Sequence, residues 1–341
     1  ERSSRKSDIE KEIGKSYGYH QKIMVPVLKV PYSKIELDNN DNEVIINGEL
    51  SFAPNTTEII GNIETDTRKR SIYEVVIFDA QLDLQSNFNV SKTEYDKKEN
   101  WTNCTFNYDK AYFLLGISDP NGLSEKSKIK VGNHTLDLIE NANINLTNMA
   151  WVKSSTFKLE EFEDLSIECD LHFKGTRSLM IEPLGEQVVL DLKSPWQDPS
   201  FVGSQLPKSY DISENGFDSQ WSVNRFAHSY PTYWQHDQIT FNNQNHSFGV
   251  KLIQPIDEYG KNKRTAKYAL LIIALTFGIF FFFEILLKKN IHPVQYTLIG
   301  FSLTMFYLLL LSITEHLGFD FAYLISSIAT IGLIVSYTKF I

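Results

Sequence analysis

The chain lacks the short motifs that mark the best-known catalytic and nucleotide-binding sites. It has no glycine-rich phosphate loop, no His-Glu-X-X-His helix, no Cys-X-X-Cys pair and no Gly-X-Ser-X-Gly elbow. Each motif fixes reactive side chains or backbone N–H groups at a set spacing, so these absences argue against the enzymes that use them. We expect a non-enzymatic protein with no cofactor and no metal.

Positive charge is in deficit. The 33 Lys and Arg residues face 42 Asp and Glu residues, which gives a net charge of −9. Proteins that bind nucleic acid neutralise phosphates with Lys and Arg, so an acidic chain argues against a nucleic-acid partner. It argues equally against a general polybasic contact with lipid headgroups.

Cysteine is almost absent, since only Cys104 and Cys169 occur. A disulfide is permitted outside the cytoplasm. Cys169, however, falls on the apolar side of the alternating segment Leu165–Phe173. We therefore favour a buried free thiol at Cys169 over a disulfide.

Apolar sequence is concentrated near the C-terminus, in runs at 268–287, 294–313 and 321–337. At about 1.5 Å per residue, the first two runs span roughly 30 Å, the thickness of the hydrocarbon layer. We predict three transmembrane helices within 268–341, preceded by a linker at 257–267. The lipid bilayer is then one partner of the chain.

The loops between the runs predict an orientation. Lys288 and Lys289 follow the first run and Lys339 follows the third, whereas the loop between the second and third runs has no Lys or Arg. Positively charged loops stay in the cytoplasm. The sequence therefore predicts that everything before the first run faces outward.

The region before the runs has the pattern of β-strands. In Leu165–Phe173, apolar and polar residues alternate without a fault, as in a half-buried strand, and turn signals such as Asn47-Gly48 separate similar segments. The sequence therefore predicts a β-rich, antiparallel, sandwich-like domain over 19–256, preceded by a polar juxtamembrane helix over 1–18. Further strand candidates are 44–50, 72–84, 111–117, 136–139, 187–192 and 248–253.

The segment 194–247 is long, aromatic and poor in alternation, which predicts a loop. A loop of this length is either ordered by its own aromatic side chains or functional. Aromatic rings bury much area and still accept polar ligands. The candidate ligand-binding or partner-binding residues are Trp196, Asp198, Phe201, Gly203 and Trp221.

Two further observations concern isolated polar residues of the outward region. The spacing of His228, His236 and His246 matches no compact zinc motif. Arg177 lies between two strand candidates, and we expect it to be solvated rather than paired with Glu182 or another carboxylate.

A few polar residues accompany the membrane runs. Glu284 is ionisable within a span, which makes it a functional candidate, although an i, i+4 pair with Lys288 at the membrane boundary also explains it. His292 and Gln295 flank the start of the second run, where His292 can cap the helix or face the lipid headgroups. Glu315 and His316 lie at the outer boundary.

Several stretches together resemble the CreD family of bacterial inner-membrane proteins, described as cell envelope integrity proteins. Gln21, Pro26 and Val30-Pro31-Tyr32 fit its pattern of Gln, then Gly-Pro-Val, then Val-Pro-Tyr, although Val25 replaces the usual Gly. Further matching stretches are RSIYEVVIFDA, GISDPNGL, WQDPSFVGSQLP, ISENGFDSQW, FGVKLIQPIDEY, KYALLIIALTF, IHPVQY and FYLLLLSITEHLGFDFAY.

This resemblance implies an N-terminal anchor, a large periplasmic domain and more than three C-terminal membrane helices. The chain starts without Met and stops just after a membrane run. We therefore expect a longer protein, truncated here at both ends. The family is associated with envelope stress and has no established catalytic residues.

The resulting hypothesis is a non-enzymatic, multi-pass protein of the bacterial inner membrane that supports envelope integrity and stress tolerance. Its periplasmic domain would bind an envelope protein or a cell-wall component. The alternatives are a transporter or channel component, and an envelope hydrolase or transferase that uses 194–247, with Asp198, Asp211, Glu214 and Asp237 as candidate carboxylates. A pocket in 194–247 would favour a small ligand, and an exposed apolar patch would favour a protein partner.

Overall fold

The chain folds into two compact units, Glu1–Gln254 and Pro255–Ile341, which are considered separately. The computed structural model describes residues 2–38, 41–70, 73–90, 104–141, 149–159, 164–228, 230–235, 246–253, 264–265, 267–288 and 292–338.

The first unit is a β-sandwich that begins with a helix, α1 (Arg2–Tyr17). The strands that follow are β1 (Gln21–Leu37), β2 (Glu43–Phe52), β3 (Thr56–Arg70), β4 (Tyr73–Phe88), β5 (Cys104–Phe106), β6 (Tyr112–Ile117), β7 (Lys128–Val131), β8 (His134–Leu136), β9 (Leu138–Asn141), β10 (Ala150–Ser154), β11 (Leu165–Thr176), β12 (Ser178–Glu182), β13 (Gln187–Ser194), β14 (Pro199–Gly203), β15 (Ser209–Ser213), β16 (Gly216–Asn224), β17 (Tyr233–Gln235) and β18 (Phe248–Leu252).

These strands form two sheets. The first has the order β14-β18-β12-β1-β6-β10-β9, and β2 and β5 also pair with β1, while β17 pairs with β2. The second has the order β15-β16-β13-β3-β4-β11-β7-β8. The predicted β-rich sandwich with C-terminal helices is confirmed. The sheets are mixed rather than purely antiparallel, because β1 pairs in parallel with β12 and β3 pairs in parallel with β13.

A single hydrophobic core lies between the two sheets and draws on both. Phe88 of the second sheet contacts Phe113 of the first at 5.7 Å between ring centroids, and Trp221 of the second contacts Phe248 of the first at 6.0 Å. Removing this much apolar surface from water is the main favourable term in folding. Cys169 is a buried free thiol, as predicted, and burial raises its pKa to about 12.

Strand β1 is an element that the apolar alternation did not reveal. Its residues from Ile23 to Val30 are buried without interruption, because both faces of the strand are covered. Pro26 lies where the register with β6 shifts, between Met24 and Val27, so the missing proline N–H falls at an irregularity. In a strand that is buried on both faces, apolar and polar residues do not alternate, so the sequence pattern does not mark the strand.

A buried glutamine connects β1 to both sheets. The Gln21 side-chain amide donates to the carbonyl of Asp119 at 3.2 Å and to the carbonyl of Lys174, in β11, at 2.9 Å. The Asp119 carboxylate accepts from the Tyr19 backbone N–H at 2.9 Å. At Gly122, in the same turn, an added Cβ would collide with the Lys174 carbonyl oxygen, so the close approach needs glycine.

Helix α1 is polar and contacts the sandwich through charged and polar pairs. Glu10 pairs with Arg177 at 2.7 Å, and Glu12 pairs with Arg70 at 2.8 Å. The prediction that Arg177 is solvated is therefore wrong. Its partner, Glu10, is 167 residues away, and sequence proximity gave no sign of it.

The second unit contains helices α2 (Ala269–Leu287), α3 (Pro293–Leu317) and α4 (Phe319–Thr338) among its described residues. All three are long and apolar enough to cross a membrane. The buried positions of α4 include Ala322, Ser326 and Thr330, spaced four residues apart, on the helix that packs against α3. Small residues at this spacing let two helix backbones approach closely, as in membrane helix pairs.

We predict that Gln21→Leu destabilises the sandwich by about 2–3 kcal/mol, because it leaves two buried carbonyl groups without their donor while preserving the side-chain volume. The measurement is thermal unfolding of the full chain in detergent, followed by tryptophan fluorescence. Gln85→Leu is the matched control, because Gln85 is exposed on β4. Equal melting temperatures for the two variants would contradict a structural role for Gln21.

Candidate functional site

The segment 194–247 is not a loop throughout, and the expectation that it would be is wrong. It contributes β14, β15, β16 and β17. In β16, Phe217, Ser219, Trp221 and Val223 all face inward. Ser219 interrupts the apolar alternation, and its hydroxyl donates to the Leu192 carbonyl at 3.2 Å. The sequence pattern did not predict β16, because Ser219 is a polar residue that forms its hydrogen bond inside the core.

The aromatic residues chosen from the sequence mainly support the packing of this end of the sandwich. Trp221 is fully buried, so a ligand at the surface would not reach it. Phe201 is half-buried and meets Phe217 and Trp221 edge to face, at 5.8 and 5.5 Å. The Trp196 indole N–H lies within hydrogen-bonding distance of the carbonyls of Asp198 and Ile253, at 3.1 and 3.0 Å.

Gly203 has a conformational role at the end of β14. Its φ is +115°, and an added Cβ would collide with the Ser247 carbonyl oxygen and with Phe248 Cα. Only glycine combines this φ with such a close approach of β14 to β18. The Asp198 side chain is exposed, and its carbonyl accepts from the Ile253 N–H at 3.2 Å.

The surface beside these residues is apolar and open. Among the described residues, β14 ends the first sheet and β15 ends the second. Tyr210 and Ile212 of β15 pair with Ser219 and Phe217, which are inward-facing, so they lie on the core side of their sheet. Yet Leu206, Tyr210 and Ile212 are 71%, 63% and 44% exposed. We call this patch, with Phe201, the sandwich-end surface. It is the interior of the sandwich left uncovered at one end.

Three concave surfaces of the described residues lie elsewhere. Three depressions have volumes of about 530, 590 and 540 Å³, two around Ser33 and Asn107 and the third around Ser124 and Val152. The candidate carboxylates Asp198, Asp211 and Glu214 line none of these three, and Asp237 lies outside the described residues. The exposed apolar feature in the described part of 194–247 is the sandwich-end surface.

A buried polar cluster lies at the end of β12, and the sequence did not predict it. Glu182 is only 2% exposed, forms an ion pair with Lys22 of β1, and accepts from the Tyr230 hydroxyl at 2.9 Å. Burial, followed by the charge of Glu182, raises the pKa of Tyr230. The sequence feature that could have indicated this cluster is Glu182 itself, a carboxylate that directly follows the apolar run Leu-Met-Ile.

Histidines flank this cluster. The His228 ring stacks on the Tyr230 ring at 5.3 Å, and the His246 ring meets the Tyr230 ring edge to face at 5.5 Å. His228 Nδ1 accepts from the Tyr230 N–H at 3.3 Å. Burial lowers the pKa of His228. His236 lies outside the described residues, and the residues that are described contain no group of three or more His, Cys, Asp or Glu placed to hold a metal.

The polar residues of the second unit have local partners. The Glu284 carboxylate accepts from the Tyr296 hydroxyl of α3 at 2.8 Å, an interhelical contact that the sequence did not indicate. His292 caps α3, as predicted, by accepting from the Val294 N–H, and its carbonyl accepts from the Gln295 N–H at 2.8 Å. His316 is exposed in the last turn of α3, where Glu315 also lies.

The whole chain, residues 1–341, matches the family model described as inner membrane protein CreD. Among curated proteins, it is 30% identical over 341 residues to inner membrane protein CreD of Escherichia coli (strain K12), an alignment that covers 96% of this chain and 72% of that protein.

Two solved structures of M1 zinc metallopeptidase mutants are also similar over part of the chain. One is from Deinococcus radiodurans with a Tyr-Ser-Ala substrate bound, and the other is a two-domain enzyme with L-tryptophan bound. Each is 10% identical, with a TM-score of 0.24, over 52% of this chain and 41% of the other. A TM-score this low carries no argument about fold or function.

We predict that His228 makes the stability of the sandwich depend on pH. Its folded pKa lies below the ordinary value, so stability is full above about pH 6.5 and is lost as the pH falls through the folded pKa. His228→Gln does not titrate and should show a smaller fall in melting temperature between about pH 7.5 and about pH 5.5 than the wild type. His134→Gln, at an exposed position of β8, is the control. A pH dependence in His228→Gln equal to that of the control would refute the prediction.

Proposed function

Since this chain belongs to the CreD family of inner membrane proteins, we propose that it is a multi-pass protein whose β-sandwich lies in the periplasm and binds an envelope protein there. The role proposed for this binding is to support the integrity of the cell envelope under stress. The protein acts by binding rather than by catalysis.

The placement of the sandwich is supported by the charge of the membrane loops. Lys288 and Lys289 follow α2, and Lys339 follows the last apolar run, whereas the turn between α3 and α4 carries no Lys or Arg. The positive-inside rule assigns the lysine-bearing ends to the cytoplasm. The chain before α2 is then on the periplasmic side.

The observation that carries the binding proposal is the sandwich-end surface. Monomeric proteins cover the inner face of a sandwich, and they protect edge strands with charge, proline or bulges. Here all five residues of β15 are exposed, and Tyr210 and Ile212 present apolar side chains beside an open edge.

A protein strand is the occupant that this surface suits. Strand addition supplies backbone hydrogen bonds to the open edge, and alternate side chains of the added strand cover Phe201, Tyr210 and Ile212. An open apolar surface gives a small molecule little to enclose it. The partner is therefore an envelope protein rather than a small cell-wall fragment.

The topology is tested by cysteine labelling in a Cys104→Ser background, since Cys169 is buried. Ser209→Cys on β15 should react with a membrane-impermeant maleimide in intact spheroplasts. Lys288→Cys should react only after the membrane is permeabilised. Labelling of Lys288→Cys alone in intact spheroplasts would invert the proposed orientation.

The binding surface is tested by photo-crosslinking in intact cells with a photoreactive amino acid at Tyr210. We expect one adduct of constant mass, reduced about tenfold or more by Ile212→Lys, because a buried ammonium in an apolar contact costs at least 1.4 kcal/mol. Ile60→Lys is the matched control, an isoleucine that is 62% exposed on β3, a strand paired on both sides. No adduct above background, or equal loss in both variants, would reject this surface.

A further inference from the structure

The hairpin of β1 and β2 continues beyond the sandwich as a two-stranded arm. Its register runs from Ser33 opposite Asn47 to Leu37 opposite Glu43. At the base of the arm, Tyr32 is 8% exposed and Leu50 is fully buried. We call residues 33–38 and 41–47 the hairpin arm.

The hairpin arm exposes a set of large aliphatic side chains that is unusual for a free surface. The exposed fractions are 47% for Ile35, 66% for Leu37, 43% for Val44, 67% for Ile45 and 41% for Ile46. Ile35 and Ile45 are direct cross-strand partners on one face, with Leu37 two residues further along the same face. Val44 and Ile46 lie on the opposite face, so both faces of the ribbon are apolar.

Within the described residues, the outer half of this arm pairs only with itself. Strand β5 pairs with β1 no further out than Lys34, and β17 pairs with β2 only from Leu50 to Phe52. A two-stranded ribbon is marginally stable in water on its own. Apolar side chains on such a ribbon gain most when another chain covers them.

The charge of the arm restricts what can cover it. Glu36, Asp38, Asp41 and Glu43 surround the tip, and Lys34 is the arm's only cation, paired with Glu36 at 2.8 Å. Asp38 also closes the turn by accepting from the Asn42 N–H at 2.9 Å. The arm thus presents apolar side chains within an acidic rim.

Two occupants are disfavoured by this charge. The surface of anionic lipids repels carboxylates. A second copy of the same arm would oppose acidic rims of like sign, and like charges placed opposite each other in a sheet are destabilising. Complementary charge instead requires a cationic partner.

We propose that the hairpin arm docks an extended protein segment in which apolar residues alternate with Lys or Arg. The segment lies along the outer edge of β2, where its apolar residues extend the face that carries Ile45 and Ile35. Its cations lie on the opposite face, which carries Glu36. The depression of about 590 Å³ at the base of the arm, lined partly by Asn47, Gly48 and Glu49, receives the end of the segment. This surface is separate from the sandwich-end surface and does not depend on it.

The test uses the full chain in neutral detergent and a fluorescent peptide of alternating Lys and Val. Fluorescence anisotropy should report binding that weakens as salt is raised, whereas a matched peptide of alternating Glu and Val should not bind. Ile45→Ser and Glu36→Gln should each weaken binding of the Lys-Val peptide by about threefold to tenfold. Both positions are exposed, so an unchanged melting temperature is expected to accompany the loss.

Two control variants separate the arm from other surfaces. Ile60→Ser removes an equally exposed isoleucine of the second sheet and should leave binding unchanged. Ile212→Ser alters the sandwich-end surface and should also leave binding unchanged. Equal binding of the two peptides, loss in Ile212→Ser but not in Ile45→Ser, or a dimer of the wild type that Ile45→Ser dissociates would each overturn the proposal.

Discussion

The first sheet depends on the burial of β1. This strand pairs with β12, β6, β5 and β2, and its middle residues are buried on both faces. Every backbone group of such a strand must find a partner inside the protein, because an unpaired N–H or C=O away from water is costly. The register shift at Pro26 places the proline at an irregularity. Near the start of the strand, the Ser118 hydroxyl accepts from the Lys22 N–H and the Ser118 N–H donates to the Lys22 carbonyl, both at 2.9 Å. The hairpin arm is the other end of the same strand, where burial ceases.

The elements that the sequence predicted well are those with a simple environment. Strand β11 has one buried and one exposed face, so its alternation was complete. The membrane helices are apolar all round and need only length to be seen. The sequence pattern did not predict β1, because both faces of this strand are buried. It did not predict β16 either, because Ser219 is polar although it faces inward. The parallel pairings carry no local signal, since they join distant segments.

The sequence directed attention to one end of the sandwich, but Trp196, Phe201 and Trp221 mainly support packing there. An aromatic side chain suits both core packing and ligand binding. Which role it has depends on the residues that surround it in the folded protein. Trp221 is held in the core by strands that sequence inspection had taken for a loop. Tyr210 and Ile212 look unremarkable in the sequence and are the exposed ones. The pair of Lys22 and Glu182 was hidden for the same reason, because its members meet only through the parallel contact of β1 with β12.

That parallel contact also sets the order in which the domain can assemble. Gln21 lies opposite Leu179, so the first residues of β1 lack their β12 partner until the chain has been synthesised as far as β12. Closing so long a loop is entropically expensive and makes folding slow. Meanwhile an apolar strand remains uncovered, which is the condition under which chains aggregate. The N-terminal strand is therefore the segment that a folding factor would have to shield until the domain is complete.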